Sequence, residues 1–164
     1  MNRMRRLGLV VTGFGLAAIP LLVAAQSMGG DAAKPGKITG TTLISPDELK
    51  WTPMSDIPGA RMAAVFGDPA KEAHRVFFEF PVGLKAPLHT HTNGDRGVVI
   101  SGTLVLTPEG GAAKKLPPGS FFSMAGGTKH STAVDGDKPC VFYVEREGKW
   151  DVVMAGEAGA KKEK

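Results

Sequence analysis

Apolar residues recur at every second position through much of this chain. In Arg75–Phe80, Val76, Phe78 and Phe80 fall on one face, and Phe77 and Glu79 on the other. Side chains of a strand alternate between two faces, so this pattern predicts a strand with one face buried. Ile38–Ile44, Arg61–Phe66, Leu88–His91, Arg96–Ile100, Thr103–Thr107 and Ser120–Met124 read as further strands. So do His130–Val134, Cys140–Arg146 and Lys149–Met154. Turn residues separate them, as in Gly67-Asp68-Pro69, Ser101-Gly102, Pro108–Ala112 and Ala125–Thr128. Ser45-Pro46-Asp47-Glu48 reads as a capping box, with Ser45 as cap and Pro46 at the first helical position. The helix it opens must be short, because Pro53 follows. Many short strands, frequent turns, no internal repeat and no long amphipathic helix predict an all-β sandwich or barrel.

Composition agrees. Glycine 22 and proline 12 suit a turn-rich β fold, and 164 residues suffice for one domain with a core. The charge needs correcting for the N-terminus. Arg3, Arg5 and Arg6 precede Leu7–Ala25, which carries no charge and is broken by Pro20. Val23-Ala24-Ala25 offers small residues before a cut. This predicts a cleaved signal peptide over residues 1–25 rather than an uncleaved anchor, and a periplasmic or secreted protein. Arg5-Arg6 leaves twin-arginine export open beside the general route. Without that segment, 20 basic and 16 acidic residues become 17 and 16, which gives no electrostatic case for nucleic acid. Residues 26–37 read as a flexible linker, 38–154 as the domain and 155–164 as a disordered tail. Cys140 is alone, so no disulfide forms within the chain, and its apolar run predicts a buried thiol.

Candidate chemistry gathers in Gly83–Asp95. His89 and His91 are two apart, and on a strand they would aim two imidazoles at one point. Asp95 follows four residues after His91, and His130 lies in a second glycine-rich stretch. Imidazole nitrogens and a carboxylate oxygen suit Fe, Mn, Ni, Cu or Zn, with coordination positions left open for a ligand. His74 lacks a partner at ligand spacing and is expected to be exposed. Alternation turns Arg96 away from the Asp95 face. Lys85 and Lys129 are expected to be solvated, and the phenylalanines to form core or a dimer surface.

The spacing Gly83-(five)-His89-Thr90-His91-(three)-Asp95-(six)-Gly102 resembles the first motif of the cupin superfamily. Gly119, Gly127 and His130 resemble the second. Arg75–Phe80 and Glu147–Trp150 add a weaker likeness to small single-domain cupins of the ChrR-type group. Three positions depart from the family pattern: Asp95 for glutamate, Ala125 for proline and Val134 for asparagine. The resemblance implies a jelly-roll β-barrel with a short helix before it and one divalent metal ion in its mouth. It implies that His89, His91 and His130 hold the metal, and that Asp95 matches the carboxylate ligand. Aspartate is one methylene shorter, so Asp95 either ligates directly, acts through a water, or leaves a three-histidine site. The multi-histidine site with open positions motivates a mononuclear metal-dependent dioxygenase on a small organic substrate, with iron as the first choice of metal, and the resemblance allows this reading without selecting it. The other readings are a non-catalytic periplasmic metal- or ligand-binding module and a metal-dependent isomerase or lyase. A homodimer is expected.

Overall fold

The computed structural model describes residues 40–155. The expected signal peptide and linker, the first two residues of the expected Ile38–Ile44 strand and nearly all of the expected C-terminal tail lie outside them. Eleven strands follow in chain order: β1 (Thr52–Pro53), β2 (Arg61–Phe66), β3 (His74–Phe80), β4 (Lys85–Thr90), β5 (Asp95–Ser101) and β6 (Thr103–Pro108). Then come β7 (Lys114–Leu116), β8 (Phe121–Met124), β9 (His130–Asp135), β10 (Cys140–Arg146) and β11 (Val153–Met154). They form two antiparallel sheets, a six-stranded one in the order β1-β2-β3-β10-β5-β8 and a five-stranded one in the order β11-β4-β9-β6-β7. The all-β jelly-roll expectation holds.

The alternating pattern decides which faces meet. Val76, Phe78 and Phe80 of β3 and Phe142 and Val144 of β10 are buried, while the residues between them are only half-buried. Leu104 and Leu106 of β6 face them from the other sheet in the same core. The rings interlock, Phe80 meeting Phe142 edge-on with centroids 4.9 Å apart. β5 and β6 are joined across sheets by a tight turn at Gly102. Its φ is +72°, and a Cβ there would lie 2.5 Å from the Pro139 carbonyl oxygen, so only glycine fits.

The expected short helix is present as a 3-10 helix, Pro46–Glu48, with the Glu48 carboxylate accepting from the Ser45 N–H at 2.7 Å. Three expectations need correction. Thr41–Ile44 is not a strand: it has no ladder partner among the described residues, and Leu43 is 87% exposed. Lys149–Met154 shrinks to the two residues of β11, because Trp150 and Asp151 are drawn to the histidines instead. His74, expected at the surface, is 2% exposed, since it occupies the inward phase of β3. Cys140 is fully buried, and burial pushes its thiol up to about 11.

Candidate metal centre

The site sits where β4, β5, β9 and the end of β10 converge. His89 lies near the end of β4, and His130 opens β9 directly opposite it in the ladder. His91 falls just past β4, in the loop to β5. The His91 carbonyl accepts the Gly127 N–H at 2.8 Å, which ties this loop to the one leading into His130. All three imidazoles are buried, with ring centroids 4.4 to 5.3 Å apart. One ring nitrogen from each lies within 4.8 Å of the others.

Which nitrogen is free follows from the partners. The Nδ1 atoms sit against backbone carbonyls: Pro87 for His89 at 2.7 Å, Asp151 for His91 at 2.6 Å and Thr128 for His130 at 2.9 Å. A carbonyl can only accept, so each Nδ1 carries the proton and each Nε2 keeps its lone pair. Burial lowers the pKa of all three, with His91 falling to about 3. The triad is therefore neutral at ordinary pH and presents three donor nitrogens in the tautomer a metal requires. The residues fit a divalent ion.

Asp95 opens β5 and is 8% exposed. Its Oδ2 accepts from Arg146 Nη2 at 2.6 Å, and its Oδ1 has no hydrogen-bond partner. Burial raises its pKa, against the pull of the Arg146 charge and then of His89. The structure thus brings the three histidines together and places Asp95 beside them on an arginine.

Arg146 is the residue that sequence reasoning passed over. It ends β10 on the same face as Cys140, Phe142 and Val144, and it is 4% exposed. Register puts His74 opposite it on β3 and Asp95 opposite it on β5. Its guanidinium lies 4.5 Å from the centroid of Trp150, whose ring lies 5.3 Å from that of His91. The signal was present: an arginine in the inward phase of an apolar strand.

The segment after β10 straps across the site. Trp150 N–H donates to the Pro69 carbonyl at 2.6 Å, and the Asp151 carboxylate accepts the Thr92 N–H at 2.9 Å. Gly148 permits this approach, because a Cβ there would lie 2.4 Å from the Asn93 side chain. Behind the triad opens a cavity of about 770 Å³. Its walls include Phe78, Leu104, Leu106, Phe122 and Phe142. Lys129 pairs with Glu109 and Arg96 with Glu145, both away from the site.

Residues 76–145 match the family model described as "Cupin domain". A search of curated protein sequences finds no match. Among solved structures, KdgF from a Halomonas species is 21% identical and aligns over 66% of this chain and 94% of its own, with a TM-score of 0.54. The polyketide cyclase RemF from Streptomyces resistomycificus is 16% identical over 71% of this chain and 86% of its own, with a TM-score of 0.60. The DMSP lyase DddQ from Ruegeria pomeroyi is 18% identical over 68% of this chain, with a TM-score of 0.55. The chain spans 63% of that lyase's length. At these identities the likeness is one of fold.

Proposed function

Because residues 76–145 form a cupin domain, we propose that this protein is a mononuclear metal-dependent dioxygenase acting on a small organic molecule. The carrying observation is the neutral triad His89, His91 and His130, with three Nε2 lone pairs at the end of an apolar cavity. When bound there, a redox-active ion such as iron would supply the oxygen chemistry. The chain supplies the rest. Backbone carbonyls hold the imidazoles in one tautomer, aromatic walls exclude water, and the cavity admits a substrate beside the ligand atoms.

Asp95 stands in this reading as the neighbouring carboxylate. Arg146 holds its Oδ2, which leaves Oδ1 able to complete the coordination sphere or to accept from a ligand. That bond also bears on the reaction class. The comparison structures include a lyase and a cyclase by name. Chemistry of that kind calls for a free general base. The triad Nδ1 atoms are committed to carbonyls, while the unpaired Oδ1 of Asp95 is the group that would serve as that base, which keeps an isomerase or lyase as the second reading. The proposal includes export of the chain and pairing as a homodimer, for which the exposed Phe121 offers apolar surface.

The test loads the protein with Fe(II) and follows oxygen uptake across a panel of diketones and phenols. Uptake that depends on substrate and disappears in His130→Ala is the expected result. No uptake across the panel, together with tight zinc binding and a thermal shift on adding one small ligand, would replace the enzyme with a ligand-binding module.

A further inference from the structure

Among the described residues Arg146 makes one side-chain hydrogen bond, from Nη2 to Asp95, while its buried Nε and Nη1 have no acceptor. A buried guanidinium with unpaired donors is costly, and a single carboxylate partner leaves the cost unmet. These donors belong to a side chain that lines the cavity next to the triad. The other carboxylates lining the cavity are engaged elsewhere, Asp151 with the Thr92 N–H and Asp56 with the Trp150 indole. The remaining walls carry Lys85 and Thr132 and are apolar around Phe78, Leu104, Phe122 and Phe142.

We propose that Arg146 is the anion anchor of this cavity, and that the ligand is a small organic acid whose carboxylate meets the guanidinium while its apolar body fills the aromatic chamber. An oxyanion can accept from one of these free donors, and a charge-assisted hydrogen bond in a water-poor pocket is among the stronger polar contacts available. Asp95 opposes the arginine's charge directly, and Asp151 opposes it at longer range. The apolar walls exclude a heavily hydroxylated ligand, for which they hold few partners. The inference rests on the reading of this cavity as the ligand site of a metal protein, and the following measurement separates the two.

Zinc content is counted first. Metal-free and zinc-loaded protein are then titrated calorimetrically with two matched pairs, benzoate against benzamide and hexanoate against hexanamide. A bound zinc ion attracts acids by itself, so the metal-free protein decides. There each acid should bind about ten-fold or more tighter than its amide, as a hydrogen bond to a charged group implies. Arg146→Met should erase that preference, and Arg146→Lys should keep part of it. Should Arg146→Met fail to fold because Asp95 is stranded, the double change Arg146→Met with Asp95→Asn removes the pair together and should likewise show no preference. Acids that bind no tighter than amides in the wild-type protein overturn the proposal. So does a preference that survives in either methionine variant. If zinc does not bind but the acid preference holds, the metal reading falls and the anchor stands.

Discussion

Glu145 and Arg146 are adjacent on β10 and face opposite worlds. On the outer face of the six-stranded sheet, register aligns Arg75, Glu145 and Arg96 across β3, β10 and β5. Glu145 accepts from Arg75 at 3.1 Å and from Arg96 at 3.2 Å, and all three side chains are at least partly in water. One residue on, inside the barrel, the same three strands align His74, Arg146 and Asp95. There the ion pair is 2.6 Å long and almost wholly dry. The two rows use similar residues and differ by one step of a two-residue period. Outside, solvent already satisfies each charge, so pairing adds little. Inside, each charge depends on its neighbour, and four polar atoms of the row have no hydrogen-bond partner among the described residues: His74 Nε2, Asp95 Oδ1, and Arg146 Nε and Nη1. Register sets which residues meet, and burial sets what the meeting is worth.

The sharpest way to break this contrast is Arg146→Met. It strands the Asp95 carboxylate in the barrel and should cost about 3–5 kcal/mol, the penalty for an uncompensated buried charge. Urea unfolding of the metal-free protein measures it. Adding Asp95→Asn should recover much of that loss, whereas equal stability of the single variant and wild type would put the inner row on a par with the outer.

Asp95→Asn alone probes the same pair from the metal side. If Asp95 supports the triad from outside the ligand set, zinc affinity should fall by about 10- to 100-fold, as losses of outer-shell partners do. Zinc stoichiometry in competition with a chelator reads this. Complete loss of zinc would instead make Asp95 a ligand in its own right.

A smaller effect belongs to His74, whose pKa is lowered by burial and by the Arg146 charge. The unfolded chain, with an ordinary histidine pKa of about 6.5, then binds the proton that the folded chain refuses. Stability contributed by neutral His74 is present above that pH and is lost as pH falls below it, by up to about 1.4 kcal/mol per pH unit. His74→Gln should flatten the fall in stability below about pH 6.5 by that slope at most. Unfolding midpoints of the two proteins from pH 7.5 to 5 compare them, and identical profiles would show that His74 takes up its proton without unfolding.

The smallest change is expected outside. Arg96→Ala should alter stability by about 1 kcal/mol or less and weaken further in salt. A loss as large as that of Arg146→Met would erase the distinction between the faces.

Much of this was legible in the chain. The alternation in Cys140–Arg146 predicted β10 residue for residue, because a strand buried on one face leaves its period in the sequence. His89, His91 and His130 were legible because a metal site needs particular side chains at particular spacings. Arg146 escaped because attention followed the histidine spacing and not the phase of β10, although that phase alone places Arg146 inside. The same rule would have placed His74 with Val76 and Phe78. The role of Asp151 was beyond reach for another reason. It fixes His91 through its backbone carbonyl, and every residue type carries that group.

That carbonyl has a consequence in time as well as space. Asp151 lies 60 residues after the histidine it orients, and the strap that carries it follows the last long strand. During synthesis from N- to C-terminus, all three histidines emerge before the partner that fixes the tautomer of His91. The barrel can gather its histidines early, but a metal arriving before the strap docks meets one imidazole whose reactive nitrogen is not yet chosen. The final stretch of the domain is thus the last part of the site to be made, and the His91 tautomer depends on it.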